Sequence, residues 1–411
     1  SSRAARALVG SPRASLPRSG GTGVRVIIIG SGIAGLAAAV ALRKVGAEVV
    51  VYERTPELRE VGAGISLWAN ALRALDHIGA GAAVRAVALK MTRSEVRGRN
   101  GRTVQIALRA PELEARYALP ELVRMVHRAD LVTALASQLP PGTARYGFEC
   151  AAVDVGGAGA TARFANGHTD AGDVVIGADG IRSVVRTAVR GPEPLRYAGY
   201  TCWRGICPRP ACVEPGYVGE WWGRGQRLGI TTLPGDRVYW FATKNAPPGG
   251  HEPDERAFLI QAFAGWADPA PALFATTPAD HVFRNDILDR PPVRVWSKGP
   301  IGVIGDAAHP TTPNLGQGGC QALEDAVVLA RCLAIARDPA RGLEAFTAAR
   351  RSRTAAVTRE SWRLGRLGQV EGRAACWLRD ASLGLLAPLL GTKGFLKHAR
   401  FDVGPLPAPV V

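Results

Sequence analysis

The chain has few of the residues that build metal sites or disulfide frameworks. Its seven cysteines are an odd number, and no two of them form the close Cys-x-x-Cys pair of a zinc knuckle. Cys202, Cys207 and Cys212 are spaced five residues apart, which does not suit a zinc site either. We therefore expect reduced thiols and no metal site.

Long apolar runs are also missing. No uninterrupted apolar stretch reaches the roughly 18 residues that a membrane-spanning helix needs. The apolar run at residues 24–29 has the length of a β-strand instead. The run at 382–390 is too short to cross a bilayer, so packing against the rest of the protein is favoured over membrane contact. We expect a cytoplasmic protein without a membrane span, present as a monomer or a homodimer.

Acidic residues are scarce: 35 Asp and Glu accompany 51 Lys and Arg, which gives a formal net charge of +16. Such an excess can indicate a nucleic-acid partner, an acidic membrane surface, or an anionic cofactor and substrate. The arginines are scattered along the chain and do not form the dense blocks of a nucleic-acid arm. We expect no nucleic-acid partner and a basic surface that attracts phosphorylated cofactors.

The first 23 residues contain four arginines and five serines but no acid. This composition predicts a disordered tail, with part of an organelle-targeting peptide as the alternative. The fold is therefore expected to begin at residue 24.

Parallel α/β sequence occurs at both ends of the remaining chain. Residues 24–29 predict a buried parallel strand, 34–45 a helix and 48–53 a second strand, which together make a βαβ unit. Another apolar strand is predicted at 301–304, and helical sequence dominates from Gln321 onward.

The middle of the chain has a different character. Residues 94–108 alternate around Asn100-Gly101, which predicts a hairpin, and residues 197–241 read as short strands separated by glycine-rich turns. This order predicts a discontinuous nucleotide-binding domain that carries an inserted sheet. The predicted segments are a tail at 1–23, a nucleotide-binding domain at 24–92, 127–192 and 296–350, a β-rich domain at 93–126 and 193–295, and C-terminal helices at 351–411.

The sequence Gly30-Ser-Gly32-Ile-Ala34-Gly35 follows the first strand and opens the first helix. Gly30 permits a tight turn, Gly32 lets backbone N–H groups approach a pyrophosphate, and Gly35 allows close packing of helix on strand. Glu53 ends the next strand, 18 residues after Gly35, where its carboxylate can accept hydrogen bonds from a ribose. A carboxylate there disfavours a 2′-phosphate, so NADP is not the expected ligand of this site.

Two further acids follow predicted strands. Asp179 lies in Gly-Ala-Asp-Gly after the strand at 173–176, and Asp306 lies in Gly-Asp-Ala-Ala-His309 after the strand at 301–304. The carboxyl ends of parallel strands meet at the edge of the sheet where ligands bind. Asp306 is therefore a candidate for a hydrogen bond to a ribityl hydroxyl.

A second glycine-rich segment, Gly316-Gln317-Gly318-Gly319, leads into the predicted helix at 321–333. Backbone amides and the positive end of the helix dipole would favour negative charge there, such as that of a reduced flavin ring.

In this order and spacing the three motifs and Glu53-Arg54 resemble the group A flavoprotein monooxygenases, which include para-hydroxybenzoate hydroxylase, salicylate hydroxylase and zeaxanthin epoxidase. The resemblance covers about residues 24–365. It implies an α/β, Rossmann-like FAD-binding fold (the GR2 type of para-hydroxybenzoate hydroxylase) with an inserted antiparallel β-sheet substrate domain and C-terminal helices. It also implies tightly bound FAD, and NAD(P)H as a transient co-substrate.

The resemblance further implies roles for individual residues. Glu53 and Arg54 would lie at the adenosine end of FAD, and Ser66, Arg128 and Asp306 would contact the cofactor. Asp179 would be linked to both FAD and NAD(P)H binding. A surface position is the alternative for Arg128. His309 is expected to support the flavin loop rather than to act in catalysis.

The implied reaction is hydroxylation or epoxidation of a small aromatic or heteroaromatic substrate by O₂, through a flavin C4a-hydroperoxide. Two alternatives are a flavin-dependent reductase or dehydrogenase of the same fold and a non-catalytic flavoprotein scaffold. Residues 197–241 hold nine of the chain's 26 aromatic residues and are the expected wall of the substrate pocket. Because strand side chains alternate, about half of these rings should point away from the pocket.

Within the family the chain is similar to FAD-dependent urate hydroxylases and zeaxanthin-epoxidase-like members. This likeness implies that Arg227 and Tyr239 hold the substrate ring; a solvated hairpin arginine and a core tyrosine are the alternatives. Pro313 resembles the position whose backbone carbonyl meets substrate in para-hydroxybenzoate hydroxylase. Asn314 stands where the urate enzymes have an aspartate, and because an amide cannot act as a base, urate itself is not the expected substrate.

Overall fold

A computed structural model of the chain describes residues 23–57, 63–157 and 159–407. Of the tail predicted at 1–23, residues 1–22 lie outside these residues. The strands are, in chain order, β1 Arg25–Ile29, β2 Glu48–Glu53, β3 Gly64–Trp68, β4 Ala88–Lys90, β5 Arg93–Gly98, β6 Thr103–Arg109, β7 Val123–His127, β8 Ala144–Tyr146, β9 Cys150–Gly156, β10 Gly159–Phe164, β11 Thr169–Gly172, β12 Val174–Gly177, β13 Arg196–Pro208, β14 Tyr217–Trp222, β15 Gln226–Leu233, β16 Arg237–Asn245, β17 Phe283–Asp289, β18 Ser297–Lys298 and β19 Ile301–Val303.

Helices cover the first sheet and form the C-terminal part of the chain. They are α1 Ile33–Lys44, α2 Ala69–Ile78, α3 Gly81–Ala86, α4 Ala110–Tyr117, α5 Arg128–Ala136, α6 Val184–Arg190, α7 Glu255–Ala262, α8 Ala270–Thr276, α9 Gly318–Ile335, α10 Pro339–Gly368 and α11 Arg373–Ala399, with short 3-10 turns at Ala279–His281, Gly305–Ala307 and Pro313–Leu315. No helix in the described part of the chain combines the length and apolarity needed to cross a membrane.

The first sheet has six strands in the order β18-β19-β12-β1-β2-β8. All its pairs are parallel except β18 with β19. The apolar β1 lies near its centre with four of its five residues buried, because α1 packs on the sheet and strands β10 and β11 of a three-stranded sheet pack against β12 and β1. Helix α1 packs against β2 and α9. The carboxyl edge of this sheet brings together the loops that follow β1, β12 and β19. The positions of the three glycine-rich motifs predicted this arrangement.

The second large sheet has seven strands in the order β17-β13-β16-β15-β14-β5-β6. It is antiparallel except for the parallel pair of β14 and β5. The predicted hairpin forms β5 and β6, and Gly101 adopts the left-handed conformation in its turn, with φ of 82°. Two three-stranded sheets, β3-β7-β4 and β11-β10-β9, complete the architecture.

Candidate functional site

The turn after β1 is built so closely that only glycine fits at two of its positions. Gly30 has a φ of 106°, and a Cβ there would lie 2.5 Å from the Ala178 carbonyl oxygen. A Cβ on Gly35 would lie 1.9 Å from the Gly30 carbonyl oxygen, so α1 packs directly on the turn. At Gly32, by contrast, a Cβ would meet nothing within 4 Å. The space before the N-terminus of α1 is therefore open to a ligand.

This open space belongs to a cleft of about 350 Å³, which we call the first cleft. Six residues predicted to bind the cofactor line it: Gly30, Gly32, Glu53, Arg54, Arg128 and Asp179. Arg182 and Phe148 also line the cleft, and no sequence motif indicates either of them.

The Glu53 carboxylate is held in place by the ends of two loops. Its Oε2 accepts hydrogen bonds from the Ser31 amide (2.9 Å) and hydroxyl (3.2 Å), and its Oε1 accepts from the Thr55 amide (3.0 Å) and hydroxyl (3.2 Å). Burial alone would raise the pKa of Glu53, but these hydrogen bonds lower it below its ordinary value. The carboxylate is thus ionised, and ribose hydroxyls can replace the two side-chain hydroxyls as its partners.

Asp179 supports the N-terminus of helix α6, where Ser183 is the N-cap residue. Its carboxylate accepts hydrogen bonds from the Ser183 hydroxyl (2.5 Å) and from the amides of Val184 (2.8 Å) and Val185 (3.3 Å). Burial nevertheless raises the pKa of Asp179. The residue lines the first cleft, but its hydrogen bonds in this structure organise the helix behind the cleft. A contact with cofactor stays a prediction.

The loop after β19 carries Asp306. Gly305 has a φ of 56°, and a Cβ there would lie 2.8 Å from the Ala34 Cβ, so this loop and α1 require small residues where they meet. Desolvation by the surrounding protein raises the pKa of Asp306, although much of its side chain is solvent-accessible. Electrostatic interactions with His309 and Arg128 act on this pKa in the opposite direction. Asp306 and Arg128, both predicted cofactor residues, therefore lie within electrostatic reach of each other.

A buried polar network supports this loop from below. The His309 Nε2 lies 2.6 Å from the Asp325 Oδ2, which also accepts from the Gly305 amide at 3.0 Å, and Arg350 Nε donates to Asp325 Oδ1 at 2.7 Å. Burial alone would raise the pKa of Asp325, but His309 and Arg350 lower it to about 2. His309 thus has a partner within the protein core, in agreement with the expected supporting role.

The second glycine-rich segment contributes backbone rather than side chains. Gly316 ends a 3-10 turn with a φ of 61°, and α9 begins at Gly318, followed by Gly319. The Gln317 side chain is buried and its Oε1 accepts from Asn70 Nδ2 at 3.1 Å. Only the backbone of Gln317 is therefore placed to meet a cofactor.

A second cavity of about 260 Å³, which we call the ring cavity, lies under the seven-stranded sheet. Four of its walls come from distant parts of the chain: the sheet, the strands β3 and β7, the 3-10 turn Pro313–Leu315, and the helices α10 and α11. It contains the four predicted substrate residues and two predicted cofactor residues: Arg227, Tyr239, Pro313, Asn314, Ser66 and Gly316.

Alternation along the strands divides the aromatic residues of the sheet between two sides. Trp222, Tyr239 and Phe241 line the ring cavity. Trp203, Trp221 and Trp240 point to the other side of the sheet, where they lie in a separate apolar core with α7 and α8. The helices contribute Leu259, Ala270, Leu273 and Phe274 to this core. The aromatic segment therefore serves both as a cavity wall and as the core of the sheet.

Arg227 is buried, with only 3% of its side chain exposed. Its Nη2 donates to Asn314 Oδ1 at 2.6 Å, its Nε donates to Gln369 Oε1 at 3.0 Å, and its guanidinium lies 5.7 Å from the centre of the Tyr200 ring. The alternative of a solvated hairpin arginine is wrong, because α10 and the loop that follows it cover this end of β15. Tyr200 belongs to the predicted aromatic segment, whereas Gln369 was not predicted.

Asn314 occupies a position that requires an amide. Its Nδ2 donates to the Ser361 carbonyl (3.0 Å) and contacts the hydroxyls of Thr312 (3.0 Å) and Tyr200 (3.1 Å), while its Oδ1 accepts from Arg227. A carboxylate could not donate to the Ser361 carbonyl. The surroundings therefore match the asparagine rather than the aspartate of the urate enzymes.

Tyr239 is nearly buried, with 9% of its surface exposed, and lines the cavity. Burial raises its pKa to about 12 although Arg204 opposes the shift, so the phenol is neutral at physiological pH. Arg204, which the sequence analysis missed, also lines the cavity. The Pro313 carbonyl, predicted to meet substrate, accepts a hydrogen bond from the Gly316 amide at 2.9 Å within its turn.

Comparisons with known proteins agree with this architecture. The model of a family described as FAD binding domain matches residues 23–361. The chain is 39% identical over 367 residues, 89% of this chain and 95% of the other, to the aurachin C monooxygenase/isomerase of Stigmatella aurantiaca. It is 36% identical over 324 residues, 74% and 78% of the two chains, to the FAD-dependent urate hydroxylase of Mycolicibacterium vanbaalenii.

Among solved structures, Klebsiella pneumoniae HpxO in complex with FAD and uric acid superimposes with a TM-score of 0.84. The two chains are 30% identical, and the match covers 92% of this chain and 96% of HpxO. These matches confirm the predicted resemblance, fold class and cofactor. The chain therefore belongs to the FAD-binding domain family, and within it to the FAD-dependent monooxygenases.

Proposed function

We propose that the protein uses NAD(P)H and O₂ to hydroxylate or epoxidise a small heteroaromatic or aromatic substrate in the ring cavity. The observation that carries this proposal is the composition of the cavity wall. Ser66 and Gly316, which the family resemblance makes cofactor contacts, line the same space as Arg227 and Tyr239. A ring held by Arg227 and Tyr239 would therefore lie against the flavin.

The residues present fit an extended FAD molecule. Glu53 and Arg54 would hold the adenosine end in the first cleft, and the open N-terminus of α1 would receive the pyrophosphate. Asp306 and Arg128 would hold the central part of the cofactor, and the backbone of residues 316–319 would serve its ring. Bound FAD supplies the transfer of two electrons from NAD(P)H and the activation of O₂.

The chain's own residues bind the substrate, orient it and exclude water. Arg227 presents a fixed positive charge to a carbonyl or an acidic ring, and the neutral Tyr239 phenol can donate a hydrogen bond to it. The remaining walls are largely apolar, which protects reactive species from water: Trp68, Met91, Met125, Val218, Ile230, Phe241, Leu315 and Leu364.

The substrate of this chain is proposed to be one that needs no carboxylate at position 314. Asn314 cannot remove a proton, and its amide is committed to Ser361 and Arg227. The relatives named for urate and for aurachin C show that this fold accommodates different substrates. We propose an electron-rich ring other than urate.

The test is a screen of phenols, aromatic acids, quinolones and purines for stimulated NAD(P)H oxidation by the FAD-loaded enzyme. We expect at least one class of ring to accelerate the oxidation, with O₂ consumed and an oxygenated product formed in matching amounts. Substrate turnover that continues without O₂ would instead establish a reductase or dehydrogenase. Indifference to every ring tested would contradict the proposed reaction.

Three finer features stay predictions of this proposal. The division of the chain into FAD-binding segments (24–92, 127–192 and 296–350) and substrate segments (93–126 and 193–295) is testable by limited proteolysis with and without FAD. A monomer or homodimer in the cytoplasm is testable by light scattering and by cell fractionation.

A further inference from the structure

Two glutamates line the ring cavity, and their partners differ. Glu95 is fully buried and accepts hydrogen bonds from Tyr217 Oη (2.8 Å), Arg97 Nε (2.9 Å) and Arg93 Nη2 (3.1 Å). Glu220 keeps 29% of its side chain exposed. Its Oε2 accepts from Trp222 Nε1 at 2.7 Å, and no residue in the described ranges donates to its Oε1. Glu220 is thus a carboxylate with spare hydrogen-bonding capacity in a largely apolar cavity.

The position of Glu220 on β14 directs it into the cavity. Val218, Glu220 and Trp222 share one face of the strand because side chains alternate, and all three line the cavity. The residue paired with Glu220 on β15 is Gly229, which adds no side chain in front of the carboxylate. A Cβ on Gly229 would lie 2.0 Å from the Phe241 ring, so glycine is required there.

The Glu220 carboxylate is also held in a fixed orientation. Its partner Trp222 lies under the guanidinium of Arg379, 5.3 Å from the ring centre. Arg379 is itself fixed to the Gly223 carbonyl by a hydrogen bond of 3.2 Å. Helix α11 thereby fixes the indole, and the indole fixes one oxygen of Glu220. The other oxygen is preorganised to accept a hydrogen bond from a ligand.

Charge limits what that ligand can be. Arg227 Nη1 lies 3.8 Å from Glu220 Oε2, so a positive and a negative group stand side by side on the cavity wall. Because the two opposite charges offset each other, neither a cationic nor an anionic ring gains a strong net attraction from the pair. A neutral ring that carries a donor next to an acceptor satisfies both groups at once.

We propose that Glu220 accepts a hydrogen bond from a ring N–H of the substrate while Arg227 faces the adjacent carbonyl. The ring cavity then selects cyclic amides, in which an N–H and a C=O share one edge of the ring, over N-alkylated analogues. This inference rests on the proposed function, since it names the substrate class of the same cavity. Glu220 also supplies a carboxylate to the cavity, which Asn314 does not, at a different place in the site.

The experiment compares two probes that differ by one methyl group, 2-quinolone and N-methyl-2-quinolone. FAD-loaded wild type, Glu220→Gln and Glu220→Leu are titrated with each probe, and Kd is read from the change in flavin absorbance. Glu214→Gln is the matched control, because Glu214 is exposed just before the same strand. NAD(P)H oxidation and O₂ uptake are recorded in parallel.

We expect wild type and Glu214→Gln to bind 2-quinolone on the order of 10- to 100-fold more tightly than its N-methyl analogue, as for a hydrogen bond to a charged group. Glu220→Leu should remove this preference, because it weakens the binding of 2-quinolone and leaves the binding of the N-methyl analogue unchanged. Glu220→Gln should keep part of it, because its amide oxygen still accepts. Unchanged FAD content in the variants shows that the fold is intact.

Three results would overturn the inference. Wild type could bind both probes equally well, Glu220→Leu could lose the same affinity for both probes, or Glu220→Leu and Glu220→Gln could both keep the full preference for 2-quinolone. The proposed function fails separately. If the binding preference depends on Glu220 but no ring stimulates O₂ uptake, the inference about substrate binding is supported and the proposed monooxygenase reaction is not. If a ring stimulates oxygenation equally in wild type and in the Glu220 variants, the inference is refuted and the proposed function is not.

Discussion

Removal of the Arg227 guanidinium should disable the substrate side of the site and leave the cofactor side intact. The guanidinium donates hydrogen bonds to the oxygens of Asn314 (2.6 Å) and Gln369 (3.0 Å). Hydrogen bonds that involve a charged group contribute about 1.5–3 kcal/mol each. Arg227→Ala should therefore lower the free energy of unfolding by about 3 kcal/mol or more, and Arg227→Lys by less because it keeps the charge.

The same substitution should weaken the binding of a stimulating ring. Loss of one charged hydrogen bond to substrate corresponds to a rise of about 10- to 100-fold in KM. Water that enters the vacated space should also raise the fraction of NAD(P)H oxidised without product. The FAD content should not change, because Arg227 does not line the first cleft.

The assay measures FAD content, KM, and product formed per NADH consumed, alongside thermal unfolding. Arg224→Ala is the control, since Arg224 is an exposed arginine in the turn just before Arg227. If Arg227→Ala showed wild-type KM and wild-type coupling while Arg224→Ala behaved identically, Arg227 would have no role in substrate binding.

Two further predictions concern the acids behind the cofactor loops. Asp179→Ala should lower stability by about 1–2 kcal/mol, since it removes the carboxylate that accepts hydrogen bonds from the Ser183 hydroxyl and the Val184 amide at the start of α6, and a melting temperature equal to wild type would contradict this. Asp325 has a pKa lowered to about 2, so its contribution to stability is complete above about pH 4 and is lost as the pH falls towards 2. Unfolding followed by circular dichroism should show this loss in wild type and not in Asp325→Asn, and identical acid profiles would refute the role of the network.

The parts of the fold that the sequence predicted correctly are those specified by local chemistry. The β-branched run before Gly30 specifies a buried strand, and the steric limits at Gly30 and Gly35 leave one way for α1 to pack on it. Asn100-Gly101 likewise specifies the hairpin turn. Each of these signals lies within a few residues of the structure it produces.

The ring cavity was predicted less completely because its residues come from distant parts of the chain. Gln369 contacts Arg227 across 142 residues, and no pattern near either residue indicates the pair. Glu220 and Arg204 lie on strands whose side chains alternate between the two faces of the sheet. Whether these two side chains point into the cavity depends on which face the rest of the protein covers, and the local sequence does not specify that. The inward turn of Gln317 follows from Asn70, which lies on a helix far earlier in the chain. Ser183, which caps α6 and donates to Asp179, did have a signal, since a serine directly before a helical run is a typical N-cap.

The central claim is that glycine loops and acids at the carboxyl edge of the first sheet hold FAD. The most direct measurement is the visible spectrum and the FAD dissociation constant of the purified protein, next to those of a Glu53→Ala, Asp306→Ala double variant. The wild-type protein should be yellow, with stoichiometric FAD, and the double variant should bind FAD at least tenfold more weakly. A colourless wild-type protein that takes up no added FAD, or a double variant that binds FAD as tightly as wild type, would contradict the claim.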